Sequence, residues 1–453
     1  MTHLLIVGFD EIVSNKYMSC IEEATREGRI DGYSVLGLKR EEGSILVRVA
    51  KNGLRPASIQ FIDNPDGCMS WADRGAFEPA IARLHETQGH LKVYIATELK
   101  AHEAYLSYCV ENGIDSLVEK PIFAPMLDGR FAPKLITSRL AYLLSLARRH
   151  KAQHSVMTLS RYHRIYNDIA LASTRDRVLR YAAPATSFHL RTAGGVWNLH
   201  REYESREDHP YKYGYGMIMH GGYHYIDLSA QFLALNRLAL PTADFSLSLV
   251  CYAAFPGDQV ERVPRTFSEA FDDYDTDWSR RNSHIRYGET DVTATFCLKD
   301  EKTGRAVTVG TISLEQTTPS IRCWKDMPPG LYNKNGRIFG ADLEVQLSTL
   351  HAMNVKSFDV PVWSNGSIER VDLQTQVSTR SNALMMNDEL FNETMTFEGL
   401  NQSDSNRSLM RQWLRGTEKL SRLEDHLATM QLTQSLCEAV AEPGLQVQTS
   451  LAI

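Results

Sequence analysis

The stretch that most restricts the fold is Lys92–Thr97, KVYIAT, whose apolar character is unbroken from Val93 to Ala96. A strand that is apolar on both faces suits a parallel sheet covered by helices on each side. Its neighbours repeat the pattern. Leu4–Val7 is a short apolar run ending at Gly8, and a helical stretch from about Asn15 stops at Gly28, where a left-handed cap forms easily. Strand patterns return at Tyr33–Leu38 and Ser58–Asp63, and His102–Asn112 reads as a helix closed by Gly113 before a strand at Ser116–Val118. Strands alternating with helices over residues 1–124 predict a doubly wound parallel sheet.

The pattern then changes. An amphipathic helix over Ala132–Arg149 leads into strand-like alternations at Ser155–Ser160, Phe245–Tyr252, Asp291–Leu298, Ala306–Leu314 and Asp342–Leu347. Tyr223–Leu233 is the clearest helix among them. Residues 125–453 are therefore expected to form an α/β domain with a large open sheet, mixed or antiparallel. A C-terminal helix, 419–441, is expected to pack back. At 453 residues the chain allows about three domains, or two if one carries a large sheet. Pro256–Tyr287 is polar and weakly periodic and reads as a surface insertion loop. Its DDYDTD is not a calcium loop: counting from Asp273, the twelfth position is His284, and the central glycine is missing.

Charge and cysteine usage exclude several classes of function. With 49 basic and 55 acidic residues the net charge is −6, so no global basic field exists to hold nucleic acid or an anionic membrane. Seven cysteines lie far apart without a CxxC, which fits reduced thiols and a cytoplasmic location better than disulfides or a thiolate metal site. The opening MTHLLIVGFDEIV does not read as a signal sequence, and no segment reaches the roughly 18 apolar residues of a membrane span.

The strongest chemical signal is Ile95–Pro121, IATELKAHEAYLSYCVENGIDSLVEKP. A strand ends at Thr97, His102 opens the next helix, a glycine closes it, and a further strand delivers Glu119, Lys120 and Pro121 to the same sheet edge. In open α/β sheets that edge faces the ligand crevice. This order resembles the glucose-fructose oxidoreductase and inositol dehydrogenase (Gfo/Idh/MocA) family. The resemblance implies a Rossmann domain binding NADP or NAD, and a second domain whose open sheet face is buried in homodimers or homotetramers. It also implies a lysine at the position of Lys120 that touches both the nicotinamide ribose and the reacting oxygen of a small-molecule substrate.

A second block, GYGMIMHGGYHYIDL at Gly214–Leu228, resembles the family segment of glycines, Asp, His and Asp. His224 matches the catalytic His and Asp227 the acid after it, while His220 stands where the family has its first Asp. An imidazole titrates near neutral pH without special tuning, so a general base remains in place. The spacing of four and then three residues puts His220, His224 and Asp227 on one helix face if the helix begins by Gly221. That face would suit a metal, but a third strong ligand is not evident, and no metal is expected.

The first turn departs from the family. A dinucleotide fingerprint needs GxGxxG, and the chain has Gly8, Phe9, Asp10 and Val13. Asp10 sets a negative charge beside the expected phosphates. After the second strand come Lys39 and Arg40, two cations that favour a 2′-phosphate and hence NADP, or that simply decorate a solvated turn. Arg161, Tyr162 and Trp197 are candidates for the substrate cleft, with a water-exposed strand end as the alternative for the first two. The expected function is hydride transfer between nicotinamide and a carbonyl, imine or alcohol carbon of a small sugar-like or amino-bearing metabolite. The alternatives are a non-redox ligand-binding or regulatory protein on the same scaffold, and a lyase or isomerase with a tightly held cofactor.

Overall fold

In the computed structural model the described residues are 2–63, 74–195, 198, 200–207, 209–262, 276–319, 339–386, 391–400 and 402–453. They divide into two units, Met1–His163 with Gln402–Leu427, and Arg164–Asn401 with Ala428–Ile453.

The first unit is built on the apolar strands. β1 (Thr2–Val7) lies between β2 (Gly32–Leu38) and β4 (His90–Ile95), with Leu4–Val7 and Leu91–Ile95 fully buried. β3 (Ser58–Ile62), β5 (Asp115–Glu119) and β8 (His154–Met157) complete a six-stranded sheet of order β3-β2-β1-β4-β5-β8, parallel throughout, while β6 (Met126–Leu127) and β7 (Arg130–Phe131) pair as a separate antiparallel ribbon. The order reverses at β1, so β1 and β4 flank the topological switch point where such sheets bind ligands. A π-helical turn, Val13–Tyr17, runs into α1 (Met18–Arg26), which buries Met18, Ile21 and Ala24 against the sheet. α2 (Glu42–Lys51), α3 (Arg74–Thr87), α4 (Leu99–Glu111) and α5 (Ile136–Ala147) follow the strands as the apolar periodicity requires.

Two features of this unit differ from the boundary read at residue 124. β8 adds to the sheet edge, pairing in parallel with β5 from Ser116↔His154 to Glu119↔Met157, so the unit continues to His163. The helix Gln402–Leu414 also belongs to it, inserting Leu409, Met410, Trp413 and Leu414 into the core. Arg411 and Arg415 pair with Glu23 on α1 at 2.7 Å each. Lys92, buried in β4, donates to the Trp413 carbonyl at 2.6 Å, where a cation meets the last turn of that helix.

The second unit carries a nine-stranded mixed sheet. β9 (Ala185–Thr192) and β12 (Arg305–Glu315) pair in parallel. The other neighbours are antiparallel: β10 (Phe245–Ala254), β11 (Asp291–Asp300), β13 (Gly340–Leu347), β14 (His351–Ser364), β15 (Ser367–Ser381), β16 (Asn392–Leu400) and β17 (Val447–Ser450). Alternate residues point to a covered face, where Phe188 of β9 meets Phe232 at 5.6 Å between ring centroids. The opposite face is polar, with Arg191 donating twice to Glu315 at 2.7 Å and Thr293 bonded to Ser313 at 3.0 Å. Before β10 the second unit holds α6 (Ala172–Tyr181), α7 (His200–Ser205), α8 (Tyr223–Ala234) and the short α9 (Asn236–Ala239).

The helix expected at 419–441 is observed as Leu427–Ala441, and from Ala428 it belongs to the second unit, so Gln402–Leu427 is the part that returns to the first. The insertion Pro256–Tyr287 holds short helices at Gln259–Arg262 and Thr276–Asn282, because Trp278 and Tyr287 bury against Tyr203 and Tyr211. Most of DDYDTD lies outside the described residues. Among those described, no helix is long and apolar enough to cross a membrane, and no group of three or more His, Cys, Asp or Glu is gathered as metal ligands.

Candidate active site

At the carboxyl edge of the parallel sheet, β1, β4 and β5 deliver three short turns. Gly8 has φ +82° and packs so closely on β4 that a Cβ there would lie 2.7 Å from the Ala96 carbonyl oxygen. Its N–H donates to Leu36 at 2.8 Å, fixing the turn to β2 as well. Phe9 enters the core and is 2% exposed. Asp10 caps the helix that follows: its Oδ1 accepts the Val13 N–H at 2.9 Å, and its backbone oxygen accepts the Ser14 N–H at 3.2 Å. The phosphate-binding donor of the usual fingerprint is thus bonded to the chain's own carboxylate.

The second pair of turns is braced by His102. Its Nδ1 lies 2.8 Å from the Pro121 carbonyl oxygen and its Nε2 lies 3.0 Å from that of Thr97, so the buried imidazole sits between the ends of β4 and β5 and, when neutral, donates to one of the two carbonyls at a time. Burial pulls its pKa down. His102 therefore positions the Glu119-Lys120-Pro121 turn from within. Glu119 faces inward, where its Oε1 accepts the Tyr94 hydroxyl at 2.6 Å and the Tyr17 hydroxyl at 3.3 Å. Asn406 in turn donates to Tyr17 at 3.0 Å. Burial first, and then the Glu119 charge, push the Tyr94 phenol well up, so it remains a donor. Lys120 follows at the crevice edge, partly exposed and joined to Pro121 by a cis peptide.

After β2, Lys39 is exposed and paired with Glu42 at 2.7 Å, and Arg40 is exposed beside it. Arg161 and Tyr162 serve the packing of the first unit. The Arg161 guanidinium donates to the Leu420 and Asp425 carbonyl oxygens at 2.8 Å each, and the Tyr162 hydroxyl donates to Glu418 at 3.0 Å. Both anchor the chain's return segment. Trp197 lies outside the described residues.

In the second unit the segment 214–222 forms a tight turn before α8. Gly216 packs on Glu289, where a Cβ would meet the Glu289 carbonyl oxygen at 2.1 Å. The Met217 N–H donates to that same oxygen at 2.8 Å, while the Ile218 N–H donates to the Glu289 side chain at 2.9 Å. Full burial pushes the Glu289 carboxyl up to about 7. α8 starts at Tyr223, two residues later than the one-face alignment requires, so His220 remains in the turn. Its ring is 5% exposed and meets Tyr211 and Tyr215 edge-on at 4.8 and 5.6 Å. His224, in the first turn of α8, is partly exposed. Asp227, fully buried, accepts the Thr429 hydroxyl at 2.8 Å and the Gln231 amide at 2.9 Å, tying α8 to the helix Leu427–Ala441. Glu289 was not singled out from sequence. Its one signal is a glycine and a carboxylate, Gly288-Glu289, between a polar insertion and a strand.

No family model and no curated protein matches the chain. Solved structures do match along its whole length. Levoglucosan dehydrogenase in complex with NADH and levoglucosan aligns with a TM-score of 0.57 at 9% identity, covering 100% of both chains. The aldose-aldose oxidoreductase from Caulobacter crescentus, complexed with glycerol, aligns at 0.56 and 10%, covering 99% of each. The WlbA dehydrogenase from Bordetella pertussis, in complex with NADH and UDP-GlcNAcA, aligns at 0.53 and 12%, again covering 99% of each. The chain has the fold of the Gfo/Idh/MocA-type oxidoreductases.

Proposed function

We propose that the protein is a nicotinamide-dependent oxidoreductase acting on a carbonyl, imine or alcohol carbon of a small sugar-like or amino-bearing metabolite. One observation carries this reading: the Glu119-Lys120-Pro121 turn at the carboxyl edge of β5, braced through His102 to the end of β4. Glu119 is engaged by two tyrosines, and Lys120 beside it is partly exposed. Gly8 supports the reading because its left-handed φ of +82° turns the chain sharply at the carboxyl end of β1, the edge where such sheets bind ligands. The solved relatives bound to NADH support it further.

A bound dinucleotide supplies the hydride acceptor or donor. Lys120 donates a hydrogen bond to the reacting oxygen or nitrogen and stabilises negative charge as it develops there. On the second unit, His224 is the group proposed to act as general acid or base. Asp227 is a positioning residue: it lies three residues further along α8 and fixes that helix by its bonds to Thr429 and Gln231. His220 shapes the turn through its contacts with Tyr211 and Tyr215 rather than exchanging protons. With Lys39 paired to Glu42, the NADP preference rests on Arg40. A non-redox ligand-binding role is favoured by one feature, the Asp10 cap.

Lys120→Ala should lower turnover at least a thousandfold, with the circular dichroism spectrum and melting temperature unchanged. Full activity in that variant would exclude the assignment. Arg40→Ala should weaken NADPH binding and leave NADH binding unaltered.

A further inference from the structure

The first turn holds a competitor for the ligand that the proposed function requires. A dinucleotide pyrophosphate is normally received by the backbone N–H groups that open the first helix. Here Asp10 stands in that position, with its Oδ1 on the Val13 N–H at 2.9 Å. The turn is pinned at Phe9, just before this bond. Phe9 is buried in the core, and Arg48 of α2 donates to the Phe9 carbonyl oxygen at 3.3 Å. Moving the carboxylate aside therefore breaks the cap while the backbone stays. A separate feature indicates that a ligand belongs at this edge. The Thr97 hydroxyl, at the strand end against which Gly8 packs, is buried and finds no hydrogen-bond partner among the described residues. A buried hydroxyl in that state is usually completed by a bound molecule or water.

We propose that Asp10 is a selectivity residue of the dinucleotide crevice, an internal carboxylate occupying the phosphate position of the first helix, so that a dinucleotide binds only by displacing it. This inference rests on the oxidoreductase reading for the identity of its ligand. Two charges of the same sign cannot share one capping donor, and the loss is largest where water is excluded. Asp10 thereby weakens every ligand that places phosphate at this turn.

The test is a fluorescence titration of wild type, Asp10→Asn and Asp10→Gly with NADH and NADPH at one fixed salt concentration. Asparagine caps a helix as well as aspartate does, so Asp10→Asn removes the charge and keeps the cap, while glycine removes both. Thermal melts confirm that each variant is folded. The expected result is measurable binding by wild type and a dissociation constant at least tenfold lower in both variants. Equal binding by wild type and both variants would overturn the Asp10 proposal and leave the oxidoreductase reading intact. No binding by any of the three would overturn both. Binding by the variants alone would uphold Asp10 as a block and retire dinucleotide chemistry for the wild-type chain.

Discussion

Gly216 has no room for a side chain, since a Cβ there would meet the Glu289 carbonyl oxygen at 2.1 Å. Backbone blocks it, not the end of a flexible chain, so the two segments must separate to admit even a methyl group. Gly216→Ala should destabilise the second unit by about 1–3 kcal/mol, the usual cost of forcing extra atoms into a packed core, as measured by urea unfolding. An unchanged midpoint would mean that the turn opens freely. At this scale the sequence is informative where function depends on short-range order. Thr97, His102 and Glu119-Lys120-Pro121 are legible because one strand-helix-strand unit carries them all. Side chains engaged by distant residues are not legible in this way. Asp227 meets Thr429, 202 positions away, and Arg161 meets Asp425, 264 positions away. Nothing local announces either bond. His220 reads as a helix-face residue from its spacing, but α8 begins after it, and the ring turns into the tyrosines.

Among the elements, the turn before α8 depends on a buried carboxyl that titrates in the working range. Glu289 is raised by burial from an ordinary value near 4.5 to about 7. Below pH 4.5 both folded and unfolded chains hold its proton. Between 4.5 and 7 the unfolded chain ionises first, so stability falls as pH rises, by about 3 kcal/mol in total, and is flat above. The groups coupled to it by charge are Tyr211, Cys251 on β10 and Cys437 on the helix Leu427–Ala441, each pushed up chiefly by burial. None of them is cationic, so none offsets the charge. Glu289→Gln keeps an oxygen for the Ile218 N–H and removes the titration. Its stability relative to wild type should rise across pH 4.5–7 in urea unfolding, whereas parallel profiles would show that Glu289 is ionised in the fold. The strands and helices themselves follow apolar periodicity. The helix Gln402–Leu414 escaped it because seven of its first eight residues, QSDSNRSL, are polar or charged.

For the molecule as a whole, the two units should respond to acid in opposite directions. In the first, His154 and His163 are pulled down to about 4 by burial. The unfolded chain takes up their protons near pH 6.5, so stability present above that value is lost as pH falls towards 4, on the order of 3 kcal/mol for each. In the second unit, Glu289 acts with the reverse sign over much of the same window. Hydrogen exchange at pH 7.5 and 5.0, corrected for intrinsic rates, should show β5 and β8 losing protection while segment 214–222 gains it. A loss in segment 214–222 would contradict the Glu289 assignment, and unchanged protection in β5 and β8 would contradict that of the two histidines. The division into a parallel sheet and a mixed sheet is visible in the sequence as a change from strand-helix alternation to strand-rich alternation. The return of Gln402–Leu427 to the first unit is not, since it depends on Trp413 and the Arg415–Glu23 pair across 392 positions. The central claim is that the Lys120 crevice accepts a nicotinamide dinucleotide. The most direct test is an NADH and NADPH titration of wild type, Asp10→Asn and Lys120→Ala by reduced-nicotinamide fluorescence. The account predicts micromolar binding by Asp10→Asn, weaker binding by wild type, and at least tenfold weakening on removal of Lys120. Folded wild-type and Asp10→Asn proteins that bind neither nucleotide would contradict it.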